Sequence, residues 1–534
     1  MAKRGRTPQV ERSPWERRAA LGLVLVTLLA LVWLVHRRPP LGVPGQHAYG
    51  YHPAARWRAV LWLAIASVPL GAALAAVAAC RRALASRRGE WALVTLISVG
   101  CLALHVVAAT SPKAYPGLEL AWPFLWTNTE GAYAEIAGHV GRLDRFVSNY
   151  VHTLDVSPNR QSPHWVHIHH GQVHPPGLIL LFAGTDRFYE ACPGVARAVT
   201  GLSTACFPGA SDLLTRAHFS LRHPLAVAMT AAAAGLLMAS LAPLACYLAL
   251  RGLWPREAVL AAVLLAALVP GTYLFNPSVD QAYPVVVFAL LGLGLRAGTT
   301  GRWGWGAAFG AVLYAAAFAH VGLALVAGVL VLAGLLAWRA WRPEWGLRQL
   351  LSETWRPAFA AVLGFLTPAF LLQVWLGYPT FRVVLACLRN NRLFNAAIGR
   401  TYWPWVVVTP LEFALSLGVA LGAVCLVGWG LEVASAVRAR SLQGRNALLL
   451  ATVGTLALLD VLGVNRGESA RLWLFVTPLL VAGVAPLLCQ GGRVLRPVVV
   501  GVAVGQWLHL VVLRVLLDPN WTSAFLLDLA KQSP

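Results

Sequence analysis

Thirteen apolar runs of about 17 to 25 residues punctuate this 534-residue chain and leave it few ways to fold. A helix rises about 1.5 Å per residue, so a run of that length crosses roughly 30 Å of hydrocarbon with its backbone polar groups satisfied internally. The runs cover residues 19–36, 58–79, 91–110, 223–250, 257–275, 281–297, 303–319, 321–338, 357–376, 408–430, 446–464, 472–489 and 494–516. Apolar residues make up 58% of the chain and charged residues 12%, more apolar surface than a soluble core of this length hides from water. The pattern predicts an all-α polytopic membrane protein with about 13 transmembrane helices.

A net charge of +22 would point to nucleic acid in a soluble protein, but here its meaning depends on which loops carry it. With the amino terminus in the cytoplasm, Lys3, Arg4, Arg6, Arg12, Arg17 and Arg18 lie inside. Every second connection then returns basic residues to that side: Arg81 to Arg88, Arg251 and Arg256, Arg296 and Arg302, Arg339 to Arg356, Arg438 to Arg445, and Arg493 and Arg496. Arg37, Arg38, Arg56 and Arg58, around residues 39–55, run against the trend. The first run is too long for a signal peptide core and has no small-residue cleavage motif before His36, so it reads as an anchor. Three Lys against forty Arg, with abundant Ala, Leu and Gly, point to a G+C-rich bacterial genome and hence an inner (plasma) membrane.

The chain divides into anchor helices (1–110), a large outer loop (111–222) and a helical bundle (223–534) that carries a second outer loop at 377–408. The first loop is too long for a simple connection and too rich in aromatic residues for disorder. Within it, Tyr133, Ile136, Ala137, Val140, Leu143, Val147 and Tyr150 recur at helical spacing, predicting one amphipathic helix from Glu130 to Tyr150 along the membrane surface. His174-Pro175-Pro176-Gly177 then precedes a greasy run, Leu178 to Ala183, that reads as a short helix dipping into the interface. The eight cysteines stand singly, with no zinc-type spacing. Cys192 and Cys206 share the outer loop, where a disulfide is chemically permitted.

Glu130 opens the amphipathic helix, where the helix dipole favours a carboxylate; the plain alternative is a first-turn Glu that only steadies the helix. His164, His167, His169, His170 and His174 crowd one stretch without matching a zinc pattern, so no metal ligands are assigned and a divalent cofactor stays open. Neither a phosphate-cradling P-loop nor a dinucleotide motif is present.

Thr129-Glu130-Gly131-Ala132-Tyr133-Ala134-Glu135-Ile136 resembles the Asp-Glu-x-x-Tyr-Ala-Glu-Ile string in the first large outer loop of lipid A aminoarabinose transferases. More broadly it is similar to the Asp-Glu motif of protein O-mannosyltransferases. His174-Pro175-Pro176 is similar to an element that follows in the same loop of bacterial members. Asn276-Pro277-Ser278-Val279-Asp280 and the Arg466-to-Trp473 string resemble later elements. All belong to the C-type glycosyltransferases, polytopic enzymes that take a sugar from a polyprenyl-phosphate carrier. Two departures stand out: Thr129 occupies the place of the family's leading Asp, and the loop follows the third apolar run instead of the first.

The resemblance implies transfer of a sugar from a polyprenyl-phosphate donor to a lipid, glycan or protein at the outer membrane face. That chemistry needs a base for the acceptor's proton and positive charge for the departing phosphate, both near the headgroup level. Glu130 is the expected base, with Glu135 in reserve. Arg389, Arg392, Arg400, Arg466 and Arg471 are the expected phosphate ligands, since guanidinium forks match phosphate oxygens, although surface arginines also contact lipid headgroups. Tyr133, His174, Asp280, Glu412 and Glu468 complete the expected substrate site. Asp460, near the end of an apolar run, is expected to pair with Arg466 or Arg471. The expected partners are the lipid-linked donor, membrane lipid and an acceptor, with no nucleic acid. A flippase for lipid-linked sugars and a noncatalytic relative are the competing readings.

Overall fold

The computed structural model describes residues 14–44, 46–51, 57–79, 86–110, 120–125, 131–154, 171–206, 220–341, 347–397, 399–439, 447–464, 466–489 and 497–518. Among them, ten helices are long and apolar enough to cross a membrane, and three shorter apolar helices, Ala59–Ala73, Trp303–Ala319 and Ala447–Val461, lie between them. The protein is an all-α polytopic membrane protein, with only one small sheet among the described residues.

Several apolar runs break where the sequence removes a backbone donor. Residues 58–79 divide into Trp57–Ala66 and Val68–Ala79, where Pro69 has no N–H to continue the ladder and Ser67 Oγ donates to the Leu63 carbonyl at 2.6 Å. Pro243 and Pro270 likewise open new helices at Ala242–Leu250 and Pro270–Leu274. The run 408–430, expected as one helix, is two: Tyr402–Leu417 and Val419–Ala439. Gly418 separates them at φ 93°, a conformation that disfavours any side chain. Into this break reaches Gln506, whose Nε2 donates to the Leu417 carbonyl at 2.7 Å and whose Oε1 accepts from Leu421 N–H at 3.4 Å. A buried amide thus replaces the missing helical bonds.

Close helix contacts depend on small residues. Trp303–Ala319 packs along Leu347–Leu376, and a Cβ on Gly310 would stand 1.9 Å from the Ala361 carbonyl oxygen. At Gly306 the corresponding distance to the Pro357 oxygen is 2.3 Å, and at Gly364 it is 2.1 Å to the Ala307 oxygen. In lipid the tails are as apolar as leucine, so close van der Waals fit, not removal from water, holds such helices together.

The helix expected from Glu130 to Tyr150 is instead three: Gly131–Gly138, Leu143–Ser148 and Tyr150–Thr153. Gly138 lies against Ser220, where a Cβ would meet backbone at 2.4 Å, and the chain turns there. The periodic side chains still face inward. Tyr133, Ala137, Val140, Val147 and Tyr150 are buried with Ile179, Phe182, Tyr189 and Tyr378, while Leu143 is exposed. The helix after His174 runs over Gly177–Ala191, longer than its greasy start, and is followed by Pro193–Cys206. That second helix separates Cys192 from Cys206 by about 20 Å at the usual rise per residue, beyond the reach of a disulfide, and both thiols are free. The loop 377–408 is largely helical, over Thr380–Ala397.

Two ends of the bundle are distinguishable. At one, Glu90 pairs with Arg256 and accepts from Tyr247 Oη at 2.8 Å, while Arg251 lies over the rings of Trp91 and Tyr247. At the other, strands Leu41–Val43, His47–Tyr51 and Leu517–Asp518 form an antiparallel sheet in that order, with Leu41 opposite Tyr49 and Gly50 opposite Asp518. Leu34, Tyr49, Phe275, Leu474 and Leu516 share a core beneath it. The turns around residues 274–283, 399–402 and 466–474 meet there.

Candidate functional site

The turn 466–471 is the hub of this end. Gly467 at φ 93° and Glu468 at φ 57°, ψ 23° turn the chain sharply before the short helix Ser469–Leu472. A left-handed glutamate costs of order 1 kcal/mol or more and persists when its surroundings hold it. Here the carboxylate is held on both oxygens: Oε2 accepts from Arg471 Nη2 at 2.6 Å and Oε1 from Arg400 Nη2 at 3.3 Å. Arg471 Nε lies 3.5 Å from Asp280 Oδ2. The result is an alternating row, Asp280–Arg471–Glu468–Arg400, in which each inner charge has an opposite neighbour on either side.

Each member is fixed by its own local structure. Asp280 sits in a single turn, Val279–Ala282, closed by a capping box between Ser278 and Gln281. Arg400 is buried, with its guanidinium 5.6 Å from the Phe394 ring centre and 5.9 Å from that of Trp405. A Cβ on Gly467 would stand 2.8 Å from Arg400 Cζ, so only glycine lets the turn close over the guanidinium. Glu412, on Tyr402–Leu417, joins the hub through Ser469, whose N–H and Oγ donate to its Oε2 at 3.1 and 2.8 Å. Arg400 Nε and Glu412 Oε1, with Thr409 Oγ1 and Trp473 Nε1, are among the buried polar atoms that have no hydrogen-bond partner in the described residues. Such atoms cost of order 1–3 kcal/mol each and call for an explanation.

The strand hairpin closes one flank. Gln46 Oε1 accepts from Thr401 N–H at 2.9 Å and Trp405 Nε1 at 2.8 Å, and its Nε2 donates to Thr401 Oγ1 at 2.8 Å. His47 Nδ1 lies 3.9 Å from Glu468 Oε1. Burial pushes the His47 imidazole down to about 4, against the pull of Glu468 and helped by Arg400 and Arg471. It is therefore neutral at pH 7, and its approach to Glu468 is not an ion pair. Burial, with Glu412 and Glu468 nearby, also pushes the Tyr49 phenol upward.

A second group reaches the row from the loop 131–177. Tyr133 packs edge-on against His174 at 5.5 Å, His174 lies 4.7 Å from His320, and His320 lies 5.2 Å from Tyr283. Tyr150 Oη donates to the His174 carbonyl at 2.9 Å, and Asn390 Nδ2 donates to the carbonyls of Leu154 and Gln172. A Cβ on Gly177 would stand 2.5 Å from the Phe318 carbonyl oxygen, which explains the glycine after the two prolines. His320 is held down by burial, with Asp280 opposing that shift and Arg471 adding to it. Those two influences tie the aromatic group to the charged row.

Of the residues expected from the sequence, Asp280, Arg400, Glu412, Arg466, Glu468 and Arg471 converge, and Tyr133 and His174 join them through His320. Arg466 plays a structural part, donating to the carbonyls of Gly463 and Arg400 and lying over the Tyr402 ring. Glu135 does not join; it is partly exposed and 3.7 Å from His139 one turn on. Arg389 and Arg392 are exposed on Thr380–Ala397, whose buried face carries Val383, Cys387 and Asn390. Asp460 forms no ion pair among the described residues, because Arg471 is taken by Glu468 and Asp280 and Arg466 by carbonyls. Thr129, Glu130, His164, His167, His169 and His170 lie outside the described residues. Among those described, no three His, Cys, Asp or Glu side chains are arranged to hold a metal ion.

Sequence reasoning missed His320, Tyr283, Gln46 and His47. His320 carried a signal, being an ionisable residue in a connection of one residue between two apolar runs. Gln46 and His47 carried none. A separate groove of about 350 Å³, lined by Leu180, Leu181, Phe188, Tyr189 and Thr230 among others, shares no residue with the cluster. No family model, curated protein or solved structure matches this chain.

Proposed function

We propose that the protein is a membrane glycosyltransferase that moves a sugar from a polyprenyl-phosphate donor to a lipid, glycan or protein acceptor at the non-cytoplasmic face. One observation carries the reading. Four sequence elements that resemble those of C-type glycosyltransferases, at residues 131–136, 174–177, 276–280 and 466–473, converge on one end of a greasy bundle, where Arg400 and Arg471 flank Glu468.

In this reaction an acceptor oxygen attacks the anomeric carbon, the bond from that carbon to the phosphate oxygen breaks, and polyprenyl phosphate leaves with inversion. Glu130, directly before the helix that carries Tyr133, takes the acceptor's proton. Arg471 and Arg400 stabilise the charge that develops on the phosphate, and Glu468 and Asp280 hold the two forks in fixed orientation beforehand.

The test is transfer of radiolabelled sugar from polyprenyl-phosphate donors to membrane extract by purified protein. Wild type transfers label, Glu130→Gln does not, and Arg471→Gln does so far more slowly. Label that crosses a vesicle bilayer without being transferred would instead establish a flippase. Transfer undiminished in Glu130→Gln would remove that residue as the base.

A further inference from the structure

Among the histidines in the described residues, His47, His105, His174 and His509 are buried, whereas His320 is only partly so. His105 and His509 each leave a ring nitrogen sealed away from solvent without a hydrogen bond among the described residues, whereas neither nitrogen of His320 is sealed in this way. Its Nδ1 accepts the Gly322 N–H at 3.0 Å and caps the turn Val321–Ala324. An imidazole that accepts at Nδ1 and is kept neutral carries its single proton on Nε2. Nε2 makes no hydrogen bond among the described residues, and the side chain is only half-buried. His320 therefore offers one fixed, open donor.

Its surroundings say what that donor is for. The ring is wedged between His174 at 4.7 Å and Tyr283 at 5.2 Å, so it cannot swing freely. The charged groups that influence it are Asp280 and Arg471. Arg471 is already bound to Glu468 and Asp280, which leaves its charge nearby without using His320. A neutral N–H can only donate, so the group it holds is an oxygen acceptor and not a cation; Asp280, the stronger of the two influences, is itself engaged by Arg471.

Resting on the reading above, we propose that His320 is a substrate-binding residue that donates from Nε2 to a phosphate oxygen of the lipid-linked donor. Its two nitrogens have separate duties: Nδ1 holds the turn and Nε2 holds the ligand.

The separation makes a specific test possible. In His320→Asn the side-chain oxygen replaces Nδ1 as the cap acceptor, but nothing reaches the Nε2 position. Binding of a short-chain polyprenyl phosphate is measured on full-length protein in detergent, with inorganic phosphate and phosphatidate-containing nanodiscs as parallel probes. The expected result is an unchanged melting temperature and a polyprenyl-phosphate Kd weakened about tenfold or more, as for loss of a hydrogen bond to a charged group. Equal Kd values for wild type and variant would overturn the proposal while leaving the glycosyltransferase reading intact. Wild-type binding of phosphatidate or inorganic phosphate as tight as that of polyprenyl phosphate, with no sugar transfer, would end that reading and reassign His320 to a general phosphate site. No wild-type binding of any phosphate probe ends both. Should the Asn variant fail to fold, the Nε2 resonance of His320 in ¹⁵N-histidine-labelled wild type decides: it shifts on addition of polyprenyl phosphate, and an unmoved signal refutes the role.

Discussion

Glu468 holds Arg471, three residues ahead, at 2.6 Å from a backbone conformation that few residues other than glycine adopt. The pair is thus a product of the turn as much as of charge, and the same carboxylate reaches Arg400 on its other oxygen. Glu468 keeps a quarter of its side-chain surface open, so the energy of these contacts is screened compared with a fully enclosed pair.

Glu468→Gln keeps the shape of the side chain but removes the charge between two guanidinium groups. Sugar transfer is expected to fall about a hundredfold, the scale on which misdirected charge stabilisation costs catalysis, while thermal stability drops only modestly. Glu468→Gln combined with Arg471→Gln should lose less than the product of the two single losses. Strict multiplication of the single effects, measured in a double-mutant cycle, would show that the residues act independently.

The pH response of stability should carry the mark of His47. Its folded value of about 4 lies below the unfolded 6.5, so the unfolded chain binds more protons in between. Stability from keeping this ring neutral is fully present above about pH 6.5 and is lost as pH falls toward 4, about 3 kcal/mol in all. Melting temperatures in detergent should drop steeply from pH 7 to pH 4.5 for wild type and less for His47→Asn. Parallel curves would place the titration elsewhere.

Gly310→Leu should separate the helices Trp303–Ala319 and Leu347–Leu376, because its side chain has no space against the Ala361 carbonyl. A loss of several kcal/mol is expected, roughly the scale of severe overpacking. A Cβ on Gly304 of the same helix meets nothing within 4 Å, so Gly304→Leu should be tolerated. Comparing their yields of monodisperse protein in detergent checks both.

Gln46→Ala removes three hydrogen bonds that latch the strand hairpin to Thr401 and Trp405. The hairpin should become more open to protease, with about 1–2 kcal/mol lost, since part of the latch faces water. Cleavage at wild-type rates near residues 41–51 would show that the sheet, and not the latch, holds it.

The fold class was legible because hydrocarbon leaves so few solutions: length and hydropathy alone mark the helices. Breaks inside the runs were harder to see. Gly418 reads as one glycine among many until Gln506, almost ninety positions later, is known to fill the gap. The single helix expected from Glu130 to Tyr150 failed for a similar reason, since periodicity reports which side chains are buried and not where Gly138 backs onto Ser220. Motif order drew attention to Asp280, Glu468 and Arg471, which the fold brings into one row. Arg389 and Arg392 were equally plausible as residue types, and both are exposed on Thr380–Ala397 outside the row.

The helix Pro14–Arg37 packs along Pro497–Leu516, and the strand His47–Tyr51 is paired by Leu517–Asp518. During synthesis the helix Pro14–Arg37 must therefore wait in lipid until Pro497–Leu516 has emerged. The hairpin likewise gains its third strand only then, so the sheet at this end of the bundle closes late.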